Sequence, residues 1–492
     1  MLWVAIFIPE LSLQIAERGR LVNGPLVIAT GPDNRPIVCE HNVAARDAGI
    51  RPGMTIAAAR ALTNELLVMP RNLESENAAL HNLACWAAQF TPAVVLKGNE
   101  GLLLEVASTL TLHHGLQAFL GTLRRSVHEL GYSVSIGIAP TPMAAWLFGK
   151  ARFHGYKIRM CTNIADVEAR LADLPIALLD WPHDVLSKLS SLGIVRFAEC
   201  LALPSEGFAK RFGVERWYDL QRALGTLPDP RLHFIVPESY CTRTDFGFEV
   251  NDALALLFPI KRMLTEMEGY LRGRGAGILE YVVLLEHANR TRTTVKVGVA
   301  KVERKADRLL SLAREHLTRL ELPDTVLALS IQVERVQAFE EVCESWLPDP
   351  QREPDSWFQL LDKLVARLGP ENVYQMQAVD DYRPERSWKS SAATTPMKPK
   401  AASAASATAA TAALRPLFLL RNPRKLVAEN GRPLCHGAID LLSGPERIET
   451  GWWDGQPACR DYYVGRNALG ETMWLYRNHS DLASWYLHGY FS

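Results

Sequence analysis

Residues 133–151 read SVSIGIAPTPMAAWLFGKA, a stretch in which a strand pattern passes directly into a helical one. SVSIGIA alternates apolar residues with small or polar ones, as expected of a strand. TPMAAWLFGKARFH (141–154) then has the length and apolar content of a helix. The stretch therefore predicts a strand followed by a helix inside a domain that mixes the two.

The chain on its N-terminal side predicts more elements of the same kind. LWVAIFI (2–8) is a short apolar run typical of a buried strand, and a Pro-Glu pair ends it before a helical pattern. AVVLKGNEGLLLEVA (93–107) predicts two strands around a Gly-Asn-Glu-Gly turn, followed by a helix that ends near Gly131. PLVIAT and RPIVCE flank the turn-rich GPDN (31–34) and predict a hairpin. This order is typical of an α+β domain with a smaller insertion.

The pattern of residues 166–232 is mainly helical. LSKLSSLGIVRFAECLALP (186–204) predicts two short helices hinged at Leu192, Gly193 and Ile194. This hinge resembles a helix-hairpin-helix, in which the backbone N–H groups of the turn face a phosphate. A plain αα-hairpin is the alternative.

Residues 233–338 predict a second α+β domain, because ILEYVVLLEHA, TTVKVGVA and TVLALSIQVERV are strand patterns and ADRLLSLAREHLTRL is an amphipathic helix. The domain carries basic residues suited to binding phosphates. They are Arg272, Arg274, Arg290, Arg292, Lys296, Lys301, Arg304, Lys305 and Arg308. Arg290, Arg292 and Lys296 are two or four residues apart, so in a strand they would project from one side. A solvated surface without a ligand is the alternative.

The amino-acid composition changes twice in the last third of the chain. SWFQLLDKLVARLG (356–369) predicts an amphipathic helix, and YRPERSW (382–388) an extended segment after it. Residues 389–413 are almost entirely Ala, Ser, Thr, Pro and Lys, so they predict a flexible linker. Residues 414–492 are rich in aromatic residues alternating with turn residues, which predicts a small β-rich module.

Composition limits the class of protein. The 492 residues are 48% hydrophobic and 22% charged, which predicts a globular protein of about three or four domains. Lys plus Arg and Asp plus Glu number 54 each, so attraction to phosphate must come from local clusters of basic residues. No leader-like start and no run of about 18 apolar residues is present, so we expect a cytoplasmic protein without a membrane partner.

The cysteines give no sign of a metal or disulfide site. The eight are far apart and never form a CxxC pair, which predicts reduced thiols and no bound metal or cofactor. They are Cys39, Cys85, Cys161, Cys200, Cys241, Cys343, Cys435 and Cys459.

Two motifs carry a resemblance to the Y-family (UmuC/DinB-type) translesion DNA polymerases. AARDAGIRPGM (44–54) is similar to that family's YEARxxGVxxGM element, and residues 133–151 are similar to its SVGIAxNKxLAKxAS element. The resemblance covers about two thirds of the chain and implies its fold, an α+β multidomain arrangement with a C-terminal β-rich module. The implied division is residues 1–23 and 76–165 as palm, 24–75 as fingers, 166–232 as thumb with the helix-hairpin-helix, 233–338 as a DNA-binding little finger, 339–388 as an amphipathic helix and interaction segment, 389–413 as linker and 414–492 as a partner-binding module.

The same resemblance implies that the chain lacks polymerase activity. Such enzymes hold two divalent metals with neighbouring carboxylates. The family's first-strand DxD positions correspond to Ala5 and Phe7, and its second acidic motif corresponds to Glu100 and Gly101, where only the first remains acidic. The positions of the family's conserved aromatic and its two lysines hold Val43, Pro142 and Trp146. Arg46 is retained, and we interpret it as part of a surface salt bridge and Glu100 as a turn residue.

A particular branch, the ImuB-like proteins, fits best. These are inactive Y-family relatives, and SGPERIETGWWDG (443–455) resembles a segment that follows the little finger in that group. The resemblance implies a non-catalytic scaffold of DNA repair by translesion synthesis, as in SOS mutagenesis after DNA damage. Its implied partners are primer-template DNA, a sliding clamp, a RecA-like accessory protein and an error-prone replicative-type DNA polymerase.

Clamp-binding peptides use a glutamine and paired hydrophobic residues. QAFEEVCESWL (337–347) departs from that pattern but offers Gln337, Trp346 and Leu347 as candidates, and LRPLFLL (414–420) is a second candidate segment.

Two other functions remain open. The first is an active translesion polymerase with substituted ligands Glu10, Glu100 and Glu105, although Glu10 lies beyond the proline that ends the first strand. The second is a protein–protein adaptor without a DNA role. DNA binding by the basic residues near 290–308 would distinguish the scaffold from the adaptor.

Overall fold

The computed structural model of the chain describes residues 1–18, 24–32, 34–63, 65–158, 160–339, 355–379, 381–392, 415–479 and 481–491. Contacts group the chain into two units, Met1–Arg367 and Leu368–Ser492. The clamp candidates Trp346 and Leu347, and residues 393–413 of the predicted linker, lie outside the described residues.

The first part of unit 1 is the predicted α+β domain with its insertion. Its elements are β1 (Trp3–Phe7), α1 (Leu11–Arg18), β2 (Leu26–Thr30), β3 (Ile37–His41), α2 (Val43–Asp47), α3 (Ile56–Arg60), β4 (Leu67–Pro70), α4 (Leu73–Ala87), β5 (Val94–Lys97), β6 (Gly101–Glu105), α5 (Leu116–Glu129), β7 (Ser135–Ala139) and α6 (Pro142–Phe153). The predicted strand and helix of residues 133–151 are thus confirmed as β7 and α6.

Strand β1 lies inside a four-stranded sheet of order β5-β6-β1-β7, which we call the N-terminal sheet. Both of its neighbours run antiparallel to it, so β1 is covered on both edges. Val4 and Ile6 pack on one face with α4 and α5, and Ala5 and Phe7 pack on the other face with α6. The inserted segment forms a separate three-stranded sheet of order β3-β2-β4 with its own small core.

A helical segment follows, as predicted. It contains α7 (Val167–Leu171), α8 (His183–Ser191), α9 (Phe197–Leu201), α10 (Ser205–Phe212) and α11 (Val214–Leu224). Its buried residues, such as Leu189 and Phe197, share one core with Phe7 and Trp146. The helical segment therefore packs on the Phe7 face of the N-terminal sheet.

The second predicted α+β domain is also present. Its elements are β8 (Tyr240–Val250), α12 (Leu257–Gly273), β9 (Ala276–His287), β10 (Arg292–Glu303), α13 (Ala306–Leu317), β11 (Val326–Val333) and β12 (Gln337–Ala338). The strands form a sheet of order β10-β9-β11-β8, with β12 paired to β9, which we call the second sheet. Helices α12 and α13 cover its inner face through one large core.

Helix α14 (Asp355–Leu368), the amphipathic helix predicted at residues 356–369, packs on this domain. Asp362 accepts the backbone N–H of Ala300 at 2.6 Å and pairs with Arg308 at 2.8 Å. Arg308 also pairs with the buried Glu303. Because Ala300 belongs to the edge strand β10, α14 caps an otherwise open sheet edge.

Helix α12 joins the second sheet to the N-terminal sheet by packing on α4. A Cβ at Gly269 would lie 2.3 Å from Cδ1 of Trp86, and one at Gly273 would lie 2.8 Å from Cβ of Ala88, so the two helices meet where α12 has no side chains. Beside them Arg18 pairs with the buried Glu266 at 3.3 Å and donates to the hydroxyl of Tyr132. Burial raises the pKa of Glu266, although Arg18 opposes the shift.

Unit 2 is β-rich, as predicted. A hairpin of β13 (Tyr374–Ala378) and β14 (Trp388–Ala392) precedes β15 (Phe418–Glu429), β16 (Arg432–Leu434), β17 (Asp440–Thr450), β18 (Ala458–Arg466), β19 (Thr472–Asn478) and β20 (Asp481–Tyr490). The last six strands form an antiparallel sheet of order β16-β15-β20-β19-β18-β17. Residues 389–392 therefore form part of a strand, although their composition predicted linker, because backbone pairing with β13 needs no apolar side chains.

The segment YRPERSW is part of this unit. Arg383 is 4% exposed and donates to both carboxylate oxygens of Asp454 and to the backbone carbonyl of Gln456. Arg460 pairs with Glu385 at 2.9 Å. The contacts of Arg383 hold residues 382–388 against the GWWDG turn (451–455), and the pair of Glu385 with Arg460 holds them against β18. The composition of these segments does not indicate either contact.

No helix among the described residues is long and apolar enough to cross a membrane.

We expect Gly269→Ala to destabilise unit 1 by about 1 to 3 kcal/mol, the usual cost of overpacking a close contact, because Trp86 must move. Urea unfolding measures the change. Gly121→Ala is the matched control, since that helical glycine has no heavy atom within 4 Å of the new Cβ and gains stability of about 0.5 to 1 kcal/mol. Equal stability of the two variants would contradict the packing between α12 and α4.

We also expect acid to destabilise unit 2 through His488. Burial lowers the pKa of this histidine to about 4, while Glu385 acts in the opposite direction. An unfolded histidine titrates near 6.5, so the unfolded chain binds the extra proton first and stability is lost as the pH falls from about 6.5 towards 4. Urea unfolding between pH 7 and 4 should show a steeper loss for the wild type than for His488→Gln. The exposed His479→Gln should keep the wild-type slope, and a slope unchanged in His488→Gln would contradict the assignment.

Candidate nucleic-acid interface and adjoining cleft

A cleft of about 490 Å³ opens where β1 ends. Phe7, the turn of residues 97–100, Trp146 and Asp180 line it. Phe7 packs edge-on against Trp146, with ring centroids 5.4 Å apart, and also contacts Phe153 at 5.8 Å. Aromatic packing therefore occupies the wall that corresponds to the second acidic position of the first-strand DxD motif.

The strand next to β1 also leaves no room for a carboxylate at the second position of the second acidic motif, Gly101. Gly101 lies directly opposite Phe7 in the β1–β6 pair. A Cβ at Gly101 would lie 2.0 Å from the backbone oxygen of Ile6. A glutamate at this position would therefore require the two strands to separate.

Three acidic residues that line the cleft, Glu76, Glu100 and Asp180, pair with basic side chains. Glu100 lies in the exposed turn and is 3.9 Å from Nζ of Lys150, which also pairs with Asp180 at 2.5 Å. Deeper in the cleft, Arg71 donates two hydrogen bonds to Glu76. Burial would raise the pKa of Glu76, but the hydrogen bonds from Arg71 and Ser12 outweigh it and hold the pKa below its usual range.

Within the described residues, no three His, Cys, Asp or Glu side chains are placed to hold a metal ion. Glu10 follows the end of β1 and has a left-handed backbone (φ 51°). Arg46 pairs with Asp47 at 3.8 Å on the surface, in agreement with its interpretation as a salt-bridge residue.

The predicted hinge between two short helices forms around Gly193, but its N–H groups already have partners. The N–H groups of Gly193 and Ile194 donate to backbone carbonyls of α8. Those of Val195 and Arg196 donate to the carboxylate of Glu199 at 2.7 and 2.9 Å, and these bonds lower the pKa of Glu199. The expected phosphate site at residues 192–194 is therefore not supported, because no N–H group of the hinge points outward for a ligand.

The outer face of the second sheet is the surface best suited to nucleic acid. In β10, Val295 and Val297 are buried while Arg292 and Lys296 are exposed, so the strand alternates as predicted. Arg292 lies opposite Glu286 of β9. Arg243 of β8, which the sequence analysis did not single out, reaches the same Glu286 at 2.8 Å.

The other predicted basic residues do not share that face. Arg290 lies in the β9–β10 turn with φ 65°, outside the strand, so the period of two does not apply to it. Arg304 lies over the ring of Phe339, and Lys301 lies 5.8 Å from the ring of Phe358 in α14. Lys305 is exposed at the start of α13. The basic residues at 290–305 are close in sequence but do not share one face. The bulge near residue 298 and the turn into α13 change the direction of the chain between them.

Of the clamp candidates, Gln337 is described. It pairs with Gly277 in the short strand β12 and its side chain is exposed. In the second candidate segment, Phe418 and Leu419 belong to β15, where they pair with Tyr490 and Gly489.

The sequence is similar to that of several known proteins. Residues 7–150 match the impB/mucB/samB family. The protein ImuB of Caulobacter vibrioides (strain NA1000 / CB15N) is 28% identical over 480 residues, which cover 90% of this chain and 100% of that protein. DNA polymerase IV of Legionella pneumophila (strain Lens) is 21% identical over 338 residues, which cover 67% of this chain and 93% of the polymerase.

Solved structures also match over 68% of this chain and 99% of their own, at 16% sequence identity. DinB from Sulfolobus solfataricus has a TM-score of 0.39. The insertion ternary complex of Dbh DNA polymerase has a TM-score of 0.40.

We expect Phe7→Asp to destabilise unit 1 by about 3 to 5 kcal/mol, because it removes a buried aromatic ring and leaves a carboxylate among apolar residues. Urea unfolding checks this value. The exposed Glu100→Gln, at the same cleft, should stay within about 0.5 kcal/mol of the wild type. A Phe7→Asp protein as stable as the wild type would show that the cleft wall tolerates a ligand-type side chain.

Proposed function

We propose that this chain, an ImuB-like relative of the Y-family DNA polymerases, is a non-catalytic DNA-binding scaffold for translesion synthesis. It would hold primer-template DNA and join it to a sliding clamp, a RecA-like accessory protein and an error-prone replicative-type polymerase. The observation that carries the proposal is the packing of Phe7 against Trp146 at the position where a polymerase needs a metal ligand.

The cleft chemistry supports the absence of catalysis. Two-metal phosphoryl transfer needs carboxylates that face one another across a few ångström. Ala5 and Phe7 are buried in an apolar core, and Gly101 has no space for a side chain. Glu100 faces Lys150 and Asp180 instead. These features favour the scaffold over a polymerase that uses Glu10, Glu100 and Glu105 as substitute ligands.

The second sheet supports DNA binding. Its outer face is solvent-exposed and carries Arg243, Arg292 and Lys296 on strands whose inner faces are held by α12 and α13. A rigid sheet that presents separated basic groups can follow a phosphate backbone without reading sequence. This favours the scaffold over an adaptor that has no DNA role.

Unit 2 supports a role in recruiting partners. The GWWDG turn exposes Trp452 and Trp453, whose rings lie edge-to-face with centroids 4.7 Å apart. Asp454 of the same turn is bound by Arg383 and Arg386, so the base of the turn is held in place. Large exposed aromatic residues on a rigid support are typical of protein-binding surfaces.

We expect the purified protein to bind primer-template DNA but not to extend the primer with Mg²⁺ or Mn²⁺. Fluorescence anisotropy measures binding, and gel analysis of a labelled primer measures extension in the same mixture. Extension that Glu100→Ala abolishes would establish a polymerase. Absence of binding at low salt would instead favour the adaptor.

A pair of variants locates the binding surface. Lys296→Gln should weaken binding about two- to five-fold and reduce the dependence of log K on log salt by about 0.9, the value for one phosphate contact. Arg124→Gln is the control, because α5 packs on the face of the N-terminal sheet opposite Phe7. An equal loss in both variants would indicate a general charge effect rather than contact through the second sheet.

A further inference from the structure

An acidic residue lies at the centre of the basic face of the second sheet. Glu286 of β9 accepts a hydrogen bond from Arg243 on its Oε2 atom at 2.8 Å. Its Oε1 atom lies 3.0 Å from Nη2 of Arg292. Each carboxylate oxygen therefore has a guanidinium of its own, and one acidic side chain occupies two of the basic groups available on this face.

The register of the sheet explains how the two arginines reach the same carboxylate. Arg292 lies directly opposite Glu286 in the neighbouring strand β10. Arg243 comes from β8 on the far side of β11, whose Ala328 lies directly opposite Glu286. On its other side Ala328 lies opposite Asp245, and Arg243 lies opposite Ser330, two residues further along β11. The side chain of Arg243 therefore reaches Glu286 diagonally across β11, where Ala328 and Ser330 are both small and buried.

The three side chains remain within reach of a ligand. Arg292 is 71% exposed, Arg243 46% and Glu286 28%. Ion pairs between exposed side chains are weak, so an approaching phosphate can displace the carboxylate. The hydrogen bond from Arg243 and the charge of Arg292 outweigh partial burial and lower the pKa of Glu286, so the competing carboxylate is charged at neutral pH.

We propose that Glu286 is a built-in competitor for DNA phosphate, which holds Arg243 and Arg292. Asp245 also pairs with Arg243, so a phosphate meets a group with no net charge, where the same group without Glu286 would carry a charge of +1. This inference rests on the proposed DNA binding by the second sheet. The consequence is a sheet that binds DNA weakly and releases it readily, because a phosphate that contacts either arginine must first displace the carboxylate of Glu286.

The test is the affinity of the full-length protein for primer-template DNA over a range of salt concentrations. Glu286→Gln should tighten binding about three- to ten-fold and steepen the salt dependence by about one unit of slope, since one more phosphate contact becomes available. The matched control is Glu280→Gln, because Glu280 is also exposed on β9 and lies opposite Gly298, away from the two arginines. We expect this control to change affinity less than two-fold.

The arginines supply the decisive comparison. In a protein that already carries Arg243→Gln and Arg292→Gln, adding Glu286→Gln should no longer tighten DNA binding. Its effect on affinity should then be as small as that of Glu280→Gln. The same gain in both backgrounds would overturn the inference, because Glu286 would then act only through its general charge. Weaker or unchanged binding by Glu286→Gln would also overturn it, since the carboxylate would then organise the arginines for phosphate or have no effect. Absence of DNA binding by the wild type and all variants would overturn the proposed function itself.

Discussion

The contact between Phe7 and Trp146 joins the first strand to the helix that follows β7, and the arrangement around the cleft depends on it. The two rings lie in one core with residues of the helical segment, including Leu189 and Phe197. In a polymerase this face would have to stay polar and hydrated to hold metal ions. Here Phe7 and Trp146 give this wall of the cleft an apolar, aromatic surface.

A second junction connects the N-terminal sheet to the second sheet. Two glycines of α12 allow it to approach α4 closely, and the buried pair of Arg18 and Glu266 lies beside them. Removing one partner of such a pair costs about 3 to 5 kcal/mol, because the other charge stays buried. This junction fixes the position of the second sheet relative to the cleft.

The sequence predicted local structure well where periodicity was strong. The alternation of β10 located Arg292 and Lys296 on one face, and the apolar runs at residues 2–8 and 133–139 located two neighbouring strands of the N-terminal sheet. It could not predict that the N–H groups of the helical hinge are satisfied by Glu199 and by carbonyls of α8, because those bonds depend on the angle between the helices. The sequence analysis also missed Arg243, because β8 approaches the strands that carry the other basic residues only in the folded sheet.

The sequence by itself determined the kind of elements, their order along the chain and the absence of acidic residues from β1, because each depends on which side chains occur and at what spacing. Only the tertiary structure decided which charges meet. Arg243, Glu286 and Arg292 are distant in the chain and are brought together by the order β10-β9-β11-β8. Arg383 and Asp454 are also distant in the chain, and the folding of unit 2 brings them into an ion pair. Strand order and register are set by backbone hydrogen bonds between segments that are remote in the chain. The local pattern of side chains does not predict which strands pair.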